Sequence, residues 1–216
     1  KKRMDRVIET KFDPAIGETV KQAKQIPVLI NYSIGKKRYE KTPDEFDLAL
    51  IEYIEKSEIP YWYPTHRIPK GDKTGDPFSV GITHVHHFYT KRNLWVLASI
   101  ISKVRAVNDH KILSSMFFLF EQAEIGFSRL NRYSPTHFSQ NNRNLSGTLY
   151  VGSQISEVSP AYALYEKLKR LAKVFLKSSS PSSTNTCSAS SRVTNDLTSD
   201  YIFTDPPFGG NLMYSE

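Results

Sequence analysis

Two kinds of hydrophobic spacing run along this chain. Between residues 27 and 41, two short extended runs, Pro27–Ser33 and Arg38–Lys41, flank Ile34-Gly35-Lys36-Lys37, and that pattern predicts a β-hairpin. Beyond it, helical spacing takes over. Thr42 is expected to cap a helix with Pro43 at its first position, Asp44 and Glu45 in its first turn, and Phe46, Leu50, Ile51 and Ile54 as its apolar stripe. Thr90 is expected to cap a second helix reaching about Val107, with Leu94, Leu97, Ala98, Ile101 and Val104 on one face. Asp109 caps a third, to about Gly126, whose Ile112, Leu113, Met116, Phe117, Leu119 and Phe120 are apolar on most sides and predict burial. Gly147–Val151 reads as a strand. Ser159-Pro160 opens a last helix to about Lys177, with Leu164, Leu168, Leu171 and Phe175 inward.

The remaining stretches carry weaker patterns. Residues 1–26 are charged and weakly periodic, broken by Asp13-Pro14 and Gly17, and are expected to be a connector from an upstream part. Residues 59–89 are irregular, with four prolines, three glycines and the aromatic cluster Tyr61-Trp62-Tyr63. A long aromatic loop suits a docking surface, and it equally suits aromatics plugging the edge of a core. Ser128–Asn144 interleaves Arg129, Arg132 and Arg143 with Tyr133 and Phe138, a mixture that suits phosphate contacts plus base stacking, or an ordinary solvated loop. Residues 177–195 form a serine-rich linker between the last helix and a final apolar run.

Composition narrows the classes. The chain has 216 residues, 39% of them hydrophobic and 12% aromatic, which is enough for a core. No run of eighteen apolar residues offers a membrane span. No apolar signal region follows Lys1-Lys2-Arg3. The single cysteine, Cys187, excludes an internal disulfide and a cysteine-based zinc cluster, and fits a reducing cytoplasm. A net charge of +7 permits contact with a phosphate backbone without proving it. His84-Val85-His86-His87 invites a metal reading, because alternate residues of a strand share a face and His84 and His86 could chelate. No third ligand stands at a sequence-local spacing, so no metal is expected. A nucleophile elbow and a Gly-Lys-Ser/Thr phosphate loop are both missing from the sequence.

The chemistry concentrates at the end. Tyr201-Ile202-Phe203 is a β-prone apolar run that ends in Asp205-Pro206-Pro207-Phe208, followed by Gly209-Gly210. The same six residues could form a surface turn, but the strand before them places them at a strand's C-terminal edge, where open α/β sheets bind ligands. Thr204–Glu216 resembles the bacterial site-specific DNA methyltransferases that modify the exocyclic amine of adenine or cytosine. Ile59–Pro64, His84–Leu94, Ser128–Tyr133 and Ser146–Tyr150 are similar to stretches in one subgroup of large members. The terminal motif is specific, and the upstream stretches bring no assigned chemistry with them.

That resemblance implies an α/β fold: part of a Rossmann-like, S-adenosylmethionine-dependent methyltransferase with an inserted mixed α+β region over 27–176. Target recognition would fall within 59–150, and 196–216 would begin the catalytic strand and loop. The implied activity is methyl transfer to a base amine in DNA, within a restriction–modification or similar system. Asp205 and the Pro206 carbonyl would accept the two amine hydrogens and turn the nitrogen lone pair toward the methyl group. Pro207 would keep the backbone donor-free, and Phe208 would stack on the flipped base. Arg129, Arg132, Tyr133 and Arg143 become the candidate DNA contacts. The family's glycine-rich cofactor loop has no counterpart here, so no residue is assigned to S-adenosylmethionine. The loop is expected upstream, the rest of the sheet downstream, and the chain alone is expected to be inactive. An RNA amino-methyltransferase and a non-catalytic DNA-binding module remain the alternatives.

Overall fold

Asp13-Pro14-Ala15-Ile16-Gly17 turns the chain back on itself and makes the first hairpin. The computed structural model describes residues 6–137, 140 and 143–175. Strand β1 (Ile8–Asp13) pairs antiparallel with β2 (Glu18–Ala23), from Ile8 opposite Ala23 to Asp13 opposite Glu18. The Gly17 N–H closes the turn on the Asp13 carbonyl at 2.9 Å. The sequence pattern predicts a connector here, and the structure shows a hairpin instead. Its inward positions are polar (Asp13, Gln22), so hydrophobic alternation missed the hairpin.

The second hairpin lies where the alternation predicts it. Strands β3 (Ile30–Ile34) and β4 (Lys37–Lys41) pair antiparallel around Gly35-Lys36, with Gly35 at a φ of +61° that suits glycine. Helix α1 follows (Glu45–Lys56), capped by Asp44 rather than Thr42. Asp44 accepts from the Asp47 N–H at 2.9 Å while the Asp47 carboxylate accepts from the Asp44 N–H at 3.0 Å. This reciprocal box fixes the start two residues later than the threonine suggested. The expected stripe of α1 is only partly covered. Ile51 and Ile54 are half-buried, whereas Phe46 and Leu50 face solvent.

The irregular stretch 59–89 contains a short helix α2 (Gly75–Ser79) and a single 3-10 turn (Val85–Phe88). Helix α3 (Lys91–Arg105) begins at Thr90, whose hydroxyl accepts from the Asn93 N–H, and buries Leu94, Leu97, Ala98 and Val104 as its spacing predicts. Helix α4 (His110–Glu124) is capped by Asp109 and runs into a 3-10 turn at Ile125–Phe127. Its burial is one-sided: Leu119 is buried, while Ile112 and Phe118 are exposed. Helix α5 (Pro160–Phe175) completes the set and buries Ala163 fully. Gly147–Val151, expected as a strand, has no ladder partner among the described residues. Val151 is nonetheless buried, and its carbonyl accepts from Arg6 Nη2 at 2.8 Å.

Three hydrophobic clusters hold these elements. Ala23, Val80, Ile82, Leu130 and Val151 join the end of β2 to the loop after α2 and to the segments around 130 and 151. Leu97, Phe127, Val158 and Ala163 pack α3 against α5. Ile59, Leu94 and Ala98 receive Tyr61 and Tyr63, so two of the three clustered aromatics plug a core edge and Trp62 stays on the surface. Polar ties reinforce them. Arg92 grips Glu157 through two nitrogens, at 2.8 and 2.6 Å. The Asn131 side chain, fully buried, donates to the Gln140 and Ser156 carbonyls and accepts from the Arg143 N–H, which satisfies all its hydrogen-bonding capacity but one lone pair.

The described residues thus form a mixed structure of helices and two small antiparallel sheets, and every strand pairing among them is antiparallel. Among the described residues, no helix is long and apolar enough to cross a membrane. The serine-rich linker, Cys187, Phe138, the Phe175 side chain and the whole terminal motif lie outside the described residues.

Candidate functional site

The hairpin β1–β2 delivers one charged group into the interior. Asp13 ends β1, and its Oδ1 accepts from the Ala15 N–H at 3.0 Å, a local turn that fixes the carboxylate's orientation. Its Oδ2 then accepts from two imidazoles at once, His86 Nε2 and His87 Nε2, each at 2.8 Å. All three residues are buried. Neighbouring histidines converge because Val85–Phe88 is a 3-10 turn rather than the extended run that the His-x-His spacing suggested. On a strand His86 and His87 would point to opposite faces.

The second nitrogens of the rings differ. His87 Nδ1 faces the Thr83 N–H at 3.3 Å, which sets a neutral ring with its proton on Nε2. His86 Nδ1 is buried with no hydrogen-bond partner among the described residues. His84 is not part of the convergence. Its Nδ1 pairs with Thr83 Oγ1 at 2.9 Å, and its ring stands edge-on to His87 with centroids 5.1 Å apart.

Electrostatics separate the charges in this cluster. Burial favours a neutral Asp13, but the hydrogen bonds from His86 and His87 outweigh it and hold the carboxyl below its ordinary value. Burial lowers His86, against the pull of Asp13. Burial likewise pushes His87 down to about 4. At neutral pH the cluster is one carboxylate beside two neutral imidazoles. Among the described residues, the ion-pair partners of Asp13 are these two rings and no lysine or arginine. Three donor atoms, Asp13 Oδ2, His86 Nε2 and His87 Nε2, lie within 4.8 Å of one another and could hold a metal ion.

Next to His86 opens a cavity of about 310 Å³ lined by Trp62, Tyr63, Tyr89, Phe117 and Phe120, with Glu121 and Glu124 among its polar groups. Burial, with Glu121 adding to it, raises the Glu124 carboxyl. Burial, with the Glu124 carboxyl adding to it, pushes the Tyr89 hydroxyl above its ordinary range. Arg105 lies over the Trp62 ring, 4.5 Å from its centroid. No family model, no curated protein and no solved structure matches this chain. The meaning of the site therefore rests on its own geometry.

The residues singled out from the sequence fall in separate places. Arg132 and Arg143 come together, Arg132 Nε donating to the Arg143 carbonyl at 3.1 Å. Tyr133 follows, tied by its N–H to the Gln154 carbonyl. Arg129 sits elsewhere. Its N–H donates to the Phe88 carbonyl, and its guanidinium, lowered by burial, has Glu55, Glu9, Glu157 and Arg92 as electrostatic neighbours. The candidate arginines are thus divided, with Arg129 on one side of Leu130-Asn131 and Arg132 and Arg143 on the other. Asp205, Pro206, Pro207 and Phe208 lie outside the described residues.

Sequence reasoning missed Asp13 and His87. The third group beside the histidines stands 73 residues before His86, beyond any local spacing rule. The one available signal was Asp13-Pro14 with Gly17, a turn sequence that presents an aspartate at a strand end.

Proposed function

We propose that this chain is the central part of an S-adenosylmethionine-dependent methyltransferase acting on the exocyclic amine of adenine or cytosine in DNA, in a cytoplasmic restriction–modification or similar system. The observation that carries this reading is the sequence Asp205-Pro206-Pro207-Phe208-Gly209-Gly210, one residue after the apolar run Tyr201–Phe203. A carboxylate and a proline carbonyl side by side supply two acceptors for an amine with two hydrogens, and an aromatic beside them supplies a stacking surface. The strand of 201–203 would belong to a doubly wound catalytic sheet. The β3–β4 hairpin and the helices within 27–175 are compatible with an inserted α+β region, whereas the β1–β2 hairpin lies in the stretch expected to be a connector.

The roles follow from this chain's own residues. Asp205 and the Pro206 carbonyl orient the amine and carry the positive charge that develops on its nitrogen. Phe208 holds the base outside the duplex. Arg132, Tyr133 and Arg143, held on one polar segment, contact the phosphate backbone, consistent with the net charge of +7. S-adenosylmethionine supplies an electrophilic methyl group, but the described residues do not fit it. Gly71 and Gly75 flank a loop ahead of α2 and do not follow a strand, so no binding role is assigned to them.

The test is methyl transfer from labelled S-adenosylmethionine to unmethylated DNA and to structured RNA by the complete enzyme. Label is expected in DNA and is expected to drop at least about 100-fold in Asp205→Ala with folding retained. Label in RNA alone would move the assignment to an RNA base. Absence of label from an enzyme that binds the cofactor would overturn the catalytic reading.

A further inference from the structure

We propose that Asp13, His86 and His87 hold one divalent first-row transition-metal ion, zinc by donor chemistry, which pins the β1–β2 hairpin to the turn at Val85–Phe88. This site is independent of the methyl-transfer reading and takes no part in that chemistry.

The donor geometry carries the inference. Two imidazole Nε2 atoms and one carboxylate oxygen converge from sequence positions far apart, and all three side chains are buried. Ligands at about 2.0–2.1 Å from a tetrahedral ion stand roughly 3.3 Å from one another. The observed separations of 2.8 Å from Asp13 Oδ2 to each ring are within half an ångström, roughly, of that spacing. The Ala15 N–H already occupies Asp13 Oδ1, which leaves Oδ2 as a single aimed oxygen.

The electrostatics agree with a cation. The cluster offers two imidazole nitrogens and one carboxylate oxygen, a donor set that suits such an ion. Its net negative charge is buried without a lysine or arginine paired to it among the described residues. Two nitrogen donors favour zinc and its neighbours over magnesium or calcium, which take oxygen ligands. A fourth ligand can be water arriving from the cavity that Tyr63 and His86 border. The ring tautomers must adjust. With Nε2 on the metal, each Nδ1 carries the proton, and His87 Nδ1 then donates to Thr83 Oγ1, now 3.4 Å away, instead of accepting from the Thr83 N–H.

The rival is a latch of hydrogen bonds alone, and metal content separates the two. The untagged complete protein is purified from zinc-supplemented medium, dialysed without chelator and analysed for bound metal. About one equivalent is expected, as for any single closed site, with a rise in Tm that is lost on treatment with a strong chelator. Replacing the ion with cobalt should give the visible absorption of a four-coordinate site. Asp13→Asn, His86→Gln and His87→Gln should each weaken binding at least tenfold, while His84→Ala leaves it unchanged. If a variant fails to fold, the cobalt spectrum and chelator response of the unaltered chain still decide. A metal content near zero after zinc loading, or equal binding in the Asp13→Asn and His87→Gln variants, would overturn the proposal.

Discussion

The two hairpins are nearly the same object in isolation and opposite objects in context. Each is a two-stranded antiparallel ribbon of short strands. In β3–β4 every residue is exposed or half-exposed, and the main side-chain contact across the strands is Tyr32 on Tyr39, with ring centroids 5.4 Å apart. In β1–β2 the turn end and the closing end both enter the interior, through Asp13 and through Gln22 and Ala23. The Ala23 N–H donates to the Val80 carbonyl, and Gly81 lies directly beneath the Lys21 carbonyl. A lone two-stranded ribbon is marginal in water, so docking decides which hairpin is part of the core.

The largest break in this comparison comes from Gly81. Its φ is +79°, and a Cβ there would stand 1.9 Å from the Lys21 carbonyl oxygen, a backbone atom that cannot swing aside. Gly81→Ala therefore combines an unfavourable conformation with overlap, and should cost about 4 kcal/mol, read by chemical denaturation. Next is Asp13→Ala, which leaves two buried imidazole N–H groups without an acceptor and should cost about 3 kcal/mol. Hydrogen exchange should show residues 8–23 opening first in that variant, with α3 still protected.

Acid should loosen the same hairpin in chelator-treated protein. His87 sits at about 4 when folded, against an ordinary 6.5. The unfolded chain therefore takes up the proton first on acidification. The contribution of the neutral ring is complete above about 6.5 and is lost progressively as pH falls toward about 4. Asp13, also held down, pushes in the same direction at lower pH. A Tm measured from pH 7.5 to 4 should fall across that interval, and a flat profile would rule out the buried neutral ring. The smallest effect belongs to the other hairpin. Tyr39→Ala removes one cross-strand ring pair and should cost about 0.5–1 kcal/mol, with no change in the exchange of residues 8–23.

What could be read from the sequence follows the range of the interaction. Helix α3 was legible because its cap at Thr90 and its stripe of Leu94, Leu97, Ala98 and Val104 are local facts. The β3–β4 hairpin was legible because alternation and a glycine turn lie within a dozen residues. The fate of Phe46 and Leu50 was not, because periodicity says which side of a helix is apolar and not whether anything covers it. Val151 shows the converse: its segment reads as a strand from the sequence, and it is buried without strand pairing among the described residues. The Asp13–His86–His87 cluster depends on a fold-long contact between polar residues, and neither composition nor period signals it. The stretch Asp205–Phe208 is the reverse case: its distinctive residues lie side by side in the sequence, and their structural setting lies outside the described residues.

Asn131 and Arg6 have a consequence for protein engineering. Asn131 fastens the backbone at Arg143, and Arg6 fastens it again at Val151. Between these anchors, residues 144–150 lie exposed or half-exposed. A stretch clamped at both ends with little burial of its own is a natural insertion point. Lengthening it costs only the slow logarithmic growth of loop entropy, so a peptide tag or a fluorescent reporter can be spliced there while the clusters on either side stay packed.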